Sequence, residues 1–307
     1  MAKRGNRTRR KAIDGIILLN KPQGSTSNAA LQGVMRLLNA QKGGHTGALD
    51  PFATGLLPIC LGEATKVSGL LLDSDKRYIA TLKLGEATTT GDLEGERILQ
   101  KPVPAFTQAQ LQQIFQQFLG AGEQVPPMFS ALKYQGKPLY EYARQGIEIE
   151  RPARPIYIYE LKLLSFEKDQ ITFEVLCSKG TYVRTLGEEI AQALKTVGHL
   201  IALHRTQAGQ LTADKMLTLE EIEQAQANEL LTSILHPLDV ALTHYQAITL
   251  EDEQVAWIKQ GGMLKLPKPE TEYVRLYDSQ ANIIAIGEWH TKTQQLKAKR
   301  VFLCSTS

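Results

Sequence analysis

Apolar residues along this chain switch repeatedly between helical and strand spacing. Asp14 to Leu19 is a short apolar strand closed by the turn Lys21-Pro-Gln-Gly24. Leu31, Val34 and Leu38 then recur at i, i+3 and i+7, with Ser25, Thr26, Ser27 and Asn28 as candidate N-caps, predicting a helix. Gly43 to Pro58 is dense in glycine and proline and predicts an irregular loop opening into a strand at Leu57–Leu61. A short helix is predicted over about Glu63–Leu72, and a strand over Lys76–Leu84. Residues 85–98 are polar and are expected to be a flexible loop.

The second half follows the same logic. Thr107 and Gln110 form a capping box ahead of an apolar face of Leu111, Ile114, Phe115, Phe118 and Leu119. Residues 122–154 hold Pro126, Pro127, Pro138 and Pro152, a long irregular stretch of the kind that serves as a lid or binding loop. Ile156–Phe166 and Gln170–Cys177 predict paired strands, with Ile171, Phe173, Val175 and Cys177 on one face. A turn at Ser178–Thr181 leads into a helix bearing Val183, Leu186, Ile190 and Leu194. His199–Thr206 is another strand, and Thr218 with Glu221 caps a later helix. After a boundary near 245, a helix capped by Thr249 with Asp252 and several short strands predict a small β-barrel-like module.

Composition narrows the class. With 307 residues, 43% hydrophobic and 22% charged, the chain can bury a sizeable core and fits one large domain or two. The net charge of +3 conceals an asymmetry: Lys3, Arg4, Arg7, Arg9, Arg10 and Lys11 form an acid-free basic arm, leaving the remainder at −3. Such an arm suits contact with a polyanion and equally suits a solvated tail. Cys60, Cys177 and Cys304 lie far apart with no C-x-x-C, which fits a reducing compartment. The apolar run at Ile16–Leu19 is too short for a signal peptide, and no stretch is long enough to span a bilayer, so a soluble cytoplasmic protein is expected.

Phosphate-loop, dinucleotide, zinc-peptidase and nucleophile-elbow motifs are all absent, which removes support for an ATPase, a nicotinamide enzyme, a zincin or an α/β-hydrolase. Three segments remain. Asp50 precedes Pro51 in a glycine-rich loop, which suits a positioned nucleophile or an Asx-turn aspartate. Lys76-Arg77-Tyr78 opens a strand with cations beside an aromatic, fitting RNA contact or a half-buried strand tyrosine. Tyr182 and Arg184 stand where a turn meets a helix; that arginine either pairs with a carboxylate or is solvated.

In order along the chain, GIILLNKPQG (15–24), GGHTGALDPFATGLLPICLGEATK (43–66), LLDSDKRY (71–78), PPMFSALKYQGKPLYEYARQG (126–146), RPARPI (151–156), CSKGTYVRTLGEEI (177–190) and HLIALHRTQAG (199–209) closely resemble the TruB family of tRNA pseudouridine-55 synthases. The resemblance implies an α+β pseudouridine synthase fold: a mixed, mostly antiparallel central sheet flanked by helices, with a small PUA-like C-terminal module. It implies a basic arm over 1–12, a catalytic domain over 13–245 with an RNA-binding insertion at 122–154, and the module over 246–307. The implied reaction is isomerisation of uridine in the tRNA T loop, with no cofactor or metal. Asp50 is the implied nucleophile and Arg184 its ion-pair partner. Tyr78 stacks on the base and takes part in proton transfer. His45 contacts the RNA where the base leaves the loop, and Tyr182 and Leu203 line the uracil pocket. Lys21, Lys76, Arg77 and the basic arm are candidate phosphate contacts, and Asp92 falls in a second mobile loop. The insertion and short C-terminal part look like the stand-alone bacterial type, implying a monomer that needs no guide RNA and no membrane. Two competing readings are a non-catalytic RNA-binding or RNA-folding protein on the same scaffold, and a glycoside hydrolase pairing Asp50 with a carboxylate such as Glu63.

Overall fold

The structure is a computed structural model and describes residues 10–303, so most of the basic arm and Cys304 lie outside the described residues. The buried strand β1 (Gly15–Lys21) leads to α1 (Ser27–Leu37), where Thr26 is the cap, its hydroxyl accepting from the Ala29 amide at 3.1 Å. β2 (Gly43–His45) and β3 (Thr54–Leu61) take up both ends of the glycine-rich segment, so only residues 46–53 are irregular. The single helix expected over 63–72 is instead a 3-10 turn (Gly62–Lys66) followed by α2 (Ser68–Leu72). β4 (Lys76–Leu84) has the expected bounds.

Residues 85–98 are not a simple loop. β5 (Glu86–Thr88) pairs antiparallel with β6 (Arg97–Gln100), and the connection buries Asp92. The cause is local: the Asp92 carboxylate accepts from the Thr90 hydroxyl at 2.6 Å and the Glu94 amide at 3.0 Å, closing the turn on itself. α3 (Gln108–Phe118) carries the expected capping box. The 122–154 insertion begins in β7 (Gly120–Gln124), which pairs at the sheet edge, and holds the hairpin β8 (Lys133–Tyr134) and β9 (Lys137–Pro138) and α4 (Leu139–Ala143).

β10 (Arg154–Glu167) and β11 (Gln170–Cys177) pair antiparallel, and Ile171, Phe173, Val175 and Cys177 are all buried, as their alternation requires. α5 (Val183–Ala193), β12 (Gly198–Ala208) and β13 (Leu211–Thr212) follow, then α6 (Leu219–Ala227) behind the Thr218–Glu221 capping box, and α7 (Leu231–Ile234). The last part comprises β14 (Gln246–Thr249), α8 (Asp252–Lys259), β15 (Met263–Leu264), β16 (Tyr273–Tyr277), β17 (Ile283–His290) and β18 (Gln295–Val301). Thr249 ends a strand, so the cap of α8 is Glu251 with Gln254, not Thr249 with Asp252.

The central sheet runs β1-β3-β12-β4-β11-β10-β7, with β2 on β3 and β13 on β12; only β12 and β3 pair in parallel. One face carries the main core, built from Ile17, Leu57, Ile59, Leu82 and Phe173 against Leu31 and Val34 of α1, Phe115 of α3 and Ile190 of α5. Behind β1 and β3, Ile16, Leu18, Leu56 and Cys60 pack with Val67, Leu242, Ile286 and Phe302. Apolar burial therefore joins the terminal five-stranded sheet, β14-β16-β17-β18-β15, to the back of the first. Two hydrogen bonds reinforce the join, from the Lys66 ammonium to the Val301 carbonyl (2.8 Å) and from the Leu303 amide to the Glu63 carboxylate (2.7 Å). Among the described residues, no helix is long and apolar enough to cross a membrane.

Candidate active site

Asp50 sits in the 46–53 turn between β2 and β3, and the turn is clamped from several directions. Ser27, the first residue of α1, donates its hydroxyl to the Leu49 carbonyl (3.0 Å) and accepts the Leu49 amide (2.8 Å). The Gly24 amide reaches the Pro51 carbonyl at 2.8 Å. Arg205, 1% exposed on β12, donates Nη2 to the Gly47 carbonyl (3.1 Å) and Nε to the Leu56 carbonyl (2.7 Å). Gly47 has φ +88, a conformation that disfavours any side chain, and allows the backbone to fold over Arg205.

Opposite the turn stands Arg184, near the start of α5. Its Nε lies 2.8 Å from Asp50 Oδ2, and its Nη2 donates to Asp50 Oδ1 at 3.4 Å, a two-pronged pair. The same guanidinium donates to the Thr90 carbonyl (2.7 Å) and the Phe129 carbonyl (2.7 Å) and pairs with Asp92 at 3.6 Å. One side chain thus joins the Asp50 turn, the β5–β6 connection and the 122–154 insertion. Arg184 is 4% exposed at its side chain, whereas Asp50 keeps 37%, so the carboxylate opens to a ligand while its partner is sealed behind it. Burial raises the pKa of Asp50 above its ordinary value; Arg184 opposes this and Asp92 adds to it.

The aromatic groups gather on the same side. Tyr78 is on β4, cross-strand from Arg205, half-buried against the main core. Burial raises its pKa, and the charge of Arg205 opposes the rise. Tyr182 caps α5, its amide donating to the Gln124 side chain at 2.8 Å; burial raises its pKa too, and the Asp50 charge acts on both phenols. Leu203 is buried on β12 beside Ala80. His45 ends β2 half-buried, its Nδ1 without a hydrogen-bond partner, and burial together with Arg205 lowers its pKa, keeping it neutral at pH 7.

Three of the cations expected at phosphates, Lys21, Lys76 and Arg77, are engaged by the protein itself. Lys21 is fully buried, and its ammonium donates to the carbonyls of Pro22 (3.0 Å), Ser25 (2.6 Å) and Pro51 (3.2 Å), which leaves no proton for phosphate. Burial lowers its pKa to about 8. Lys76 is buried and donates to the Leu72 and Ser74 carbonyls. Arg77 pairs with Glu160 (3.0 Å) and Glu174 (2.7 Å) across β10 and β11. Lys21 is therefore a brace for the Asp50 turn. Glu63, the carboxylate a hydrolase would need, is held by Lys66 at 2.6 Å and by the Leu303 amide; the charges acting on Asp50 come from Arg184, Asp92 and Lys21 instead.

Two site residues escape a reading of local sequence. Asp92 lies in a polar stretch that resembles a surface turn, and only the tertiary fold turns it onto Arg184. Arg205 is a charge inside an otherwise apolar strand, and that misfit was the available clue. Among the described residues, no group of three or more His, Cys, Asp or Glu side chains could hold a metal. The arrangement offers one carboxylate, oriented and partly desolvated, with aromatic rings beside it; that suits nucleophilic attack on a bound planar group.

Comparison with known proteins agrees with the fold. Residues 35–183 match the family described as TruB family pseudouridylate synthase (N terminal domain), and residues 184–243 match the tRNA pseudouridylate synthase B C-terminal domain. A tRNA pseudouridine synthase B of Hydrogenovibrio crunogenus is 63% identical over 290 residues, 94% of each chain. Its namesake in a Marinomonas species is 48% identical over 272 residues, 87% of this chain and 88% of that one. Among solved structures, a Cbf5–Nop10–Gar1 complex matches with a TM-score of 0.74 at 24% identity, over 94% of this chain and 85% of that one, a likeness of fold alone.

Proposed function

Because the chain belongs to the TruB family of pseudouridylate synthases, we propose that it isomerises uridine-55 in the T loop of tRNA to pseudouridine, with Asp50 as nucleophile. The observation that carries this reading is the Asp50–Arg184 pair: an accessible carboxylate oriented by a sealed guanidinium. The bond between ribose C1′ and uracil N1 breaks, the base turns, and C5 bonds to C1′. C5 loses its hydrogen, N1 gains one, and composition is unchanged. No redox partner or energy source enters that balance.

The target base stacks inside the loop, so it must be everted at a cost of about a few kcal/mol, offset by contacts in the pocket. Tyr78 supplies a stacking face and takes part in the transfer of the C5 proton. Tyr182 and Leu203 line the pocket, and His45 meets the RNA as a neutral ring. Recognition rests on the shape of the T stem-loop and on its phosphates. The 122–154 insertion closes over the loop; its tie to Arg184 through Phe129 favours that role. In this reading residues 13–245 form the catalytic domain, 246–307 a PUA-like module and 1–12 a basic arm. The protein acts as a cytoplasmic monomer without guide RNA; its sparse cysteines, with Cys60 and Cys177 both free, suit a reducing compartment.

The test uses a T stem-loop transcript tritiated at uracil C5, because the new C–C bond must expel that label. Wild type is expected to release tritium, and Asp50→Asn to bind the transcript without release. Full release by Asp50→Asn, or none by wild type, overturns the assignment.

A further inference from the structure

Arg205 is a buried charge with no carboxylate of its own. It is 1% exposed and makes no ion pair among the described residues; its side chain donates to the Leu56 and Gly47 carbonyls. A desolvated guanidinium without a counter-ion is expensive, and replacing it by an apolar residue would ordinarily be tolerated or favourable. Its surroundings suggest what it does. Its backbone pairs with Gly55 of β3 on one side and with Tyr78 of β4 on the other. Gly55, at φ +96, leaves that approach open: a Cβ there would stand 2.4 Å from the Arg205 carbonyl. From this fixed base the side chain reaches Gly47 of the Asp50 turn, while its charge acts on the phenol of Tyr78, its cross-strand neighbour.

Resting on the function proposed above, we propose that Arg205 is a positioning residue for the reaction, holding the Asp50 turn through Gly47, and Tyr78 through the pairing of β12 with β4, in one register so that both meet the same nucleotide. Arg184 sets the direction of the carboxylate; Arg205 sets the spacing between carboxylate and phenol.

The experiment measures single-turnover tritium release and transcript affinity for wild type, Arg205→Met, Arg205→Lys, Tyr78→Phe and the Arg205→Met/Tyr78→Phe double variant. Arg205→Met is expected to release label about 100-fold more slowly, the loss that follows a misplacement of about 1 Å, with affinity within about twofold of wild type. Arg205→Lys keeps the charge without the fork and is expected to fall at least about tenfold. In the Tyr78→Phe background the added loss from Arg205→Met is expected to shrink, because part of its effect passes through the phenol. A merely structural role instead predicts rate and affinity falling in parallel and strictly additive losses, and either result overturns the proposal. Should Arg205→Met fail to fold, Arg205→Lys decides: release at the wild-type rate overturns it. If wild type itself releases no label, the functional reading fails and this one with it. If wild type releases label and the Arg205 variants match it, this proposal alone fails.

Discussion

Asp50 and Asp92 share one guanidinium: Arg184 meets Asp50 through Nε at 2.8 Å and Asp92 through Nη1 at 3.6 Å. Asp50 keeps 37% of its side-chain exposure, while Asp92 keeps 4%. The buried acid fixes the arginine from behind, and the open acid is the one a ligand reaches. Two negative charges on one cation also oppose full neutralisation of either, which is why Asp92 adds to the upward shift at Asp50.

Arg184→Lys is expected to slow single-turnover release by about 100-fold, because a lysine cannot reproduce the fork that spans Asp50, Thr90 and Phe129. Tritium release from the T stem-loop reads the loss. Protection from limited proteolysis in the 122–154 segment is expected to fall in the same variant, since its tie through the Phe129 carbonyl goes with the fork.

Glu188, one turn after Arg184 on α5, has its pKa raised to about 7, first by burial, with Glu189 and Asp92 adding and Arg184 opposing. The folded state therefore holds this proton more tightly than the unfolded chain. Between about 4.5, the unfolded value, and about 7, stability falls as pH rises, and above 7 the loss is complete. Glu188→Gln is expected to flatten that descent. Thermal unfolding from pH 4 to pH 8.5 checks it: the variant should gain on wild type with rising pH, and a parallel pair of curves would contradict the assignment.

Lys21→Met removes the ammonium that braces the Pro22, Ser25 and Pro51 carbonyls. The unmade bonds are expected to cost about 2 kcal/mol of stability, read by urea unfolding. Release of label should slow by at least about tenfold because Pro51 adjoins the nucleophile. Transcript affinity at low salt should hold, whereas a lysine on phosphate would lose it.

Arg77→Ala separates structural from RNA-facing cations. Glu160, whose pKa Arg77 and Lys162 hold down at about 2, and Glu174 already neutralise Arg77. The slope of log affinity against log salt is expected to stay unchanged, where loss of a phosphate contact would reduce it by about 1. Stability should drop by about 1 kcal/mol, the order found for partly exposed ion pairs.

The strands and helices were legible because local chemistry decides them. Lys76–Leu84 alternates, Thr107 and Thr218 cap with partners three residues on, and Ile171 to Cys177 puts every second side chain inside. The ordered blocks also revealed the family and, by resemblance, pointed to Asp50, Tyr78 and Arg184. Sequence misplaced the cap of α8: threonine is a preferred cap residue and Thr249 fits by local chemistry, but pairing with β16 makes it the end of a strand and leaves Glu251 as the cap. It likewise took 85–98 for an open loop, since Asp92 turns inward only when Arg184 waits there.

What residue order alone determined was secondary structure and chemical inventory, both set within a few residues of each site. What the tertiary fold decided was which charges are free. Lys21, Lys76 and Arg77 are identical in sequence terms to cations on a surface. They lose that role because the fold buries them against carbonyls, near in sequence for Lys76 and partly distant for Lys21, or against the carboxylates of other strands for Arg77, in surroundings where an unpaired ammonium or guanidinium is too costly to leave. Arg205 obeys the same rule: buried with no ion pair among the described residues, it donates to the Leu56 and Gly47 carbonyls, a placement only the packing of β3, β12 and β4 creates.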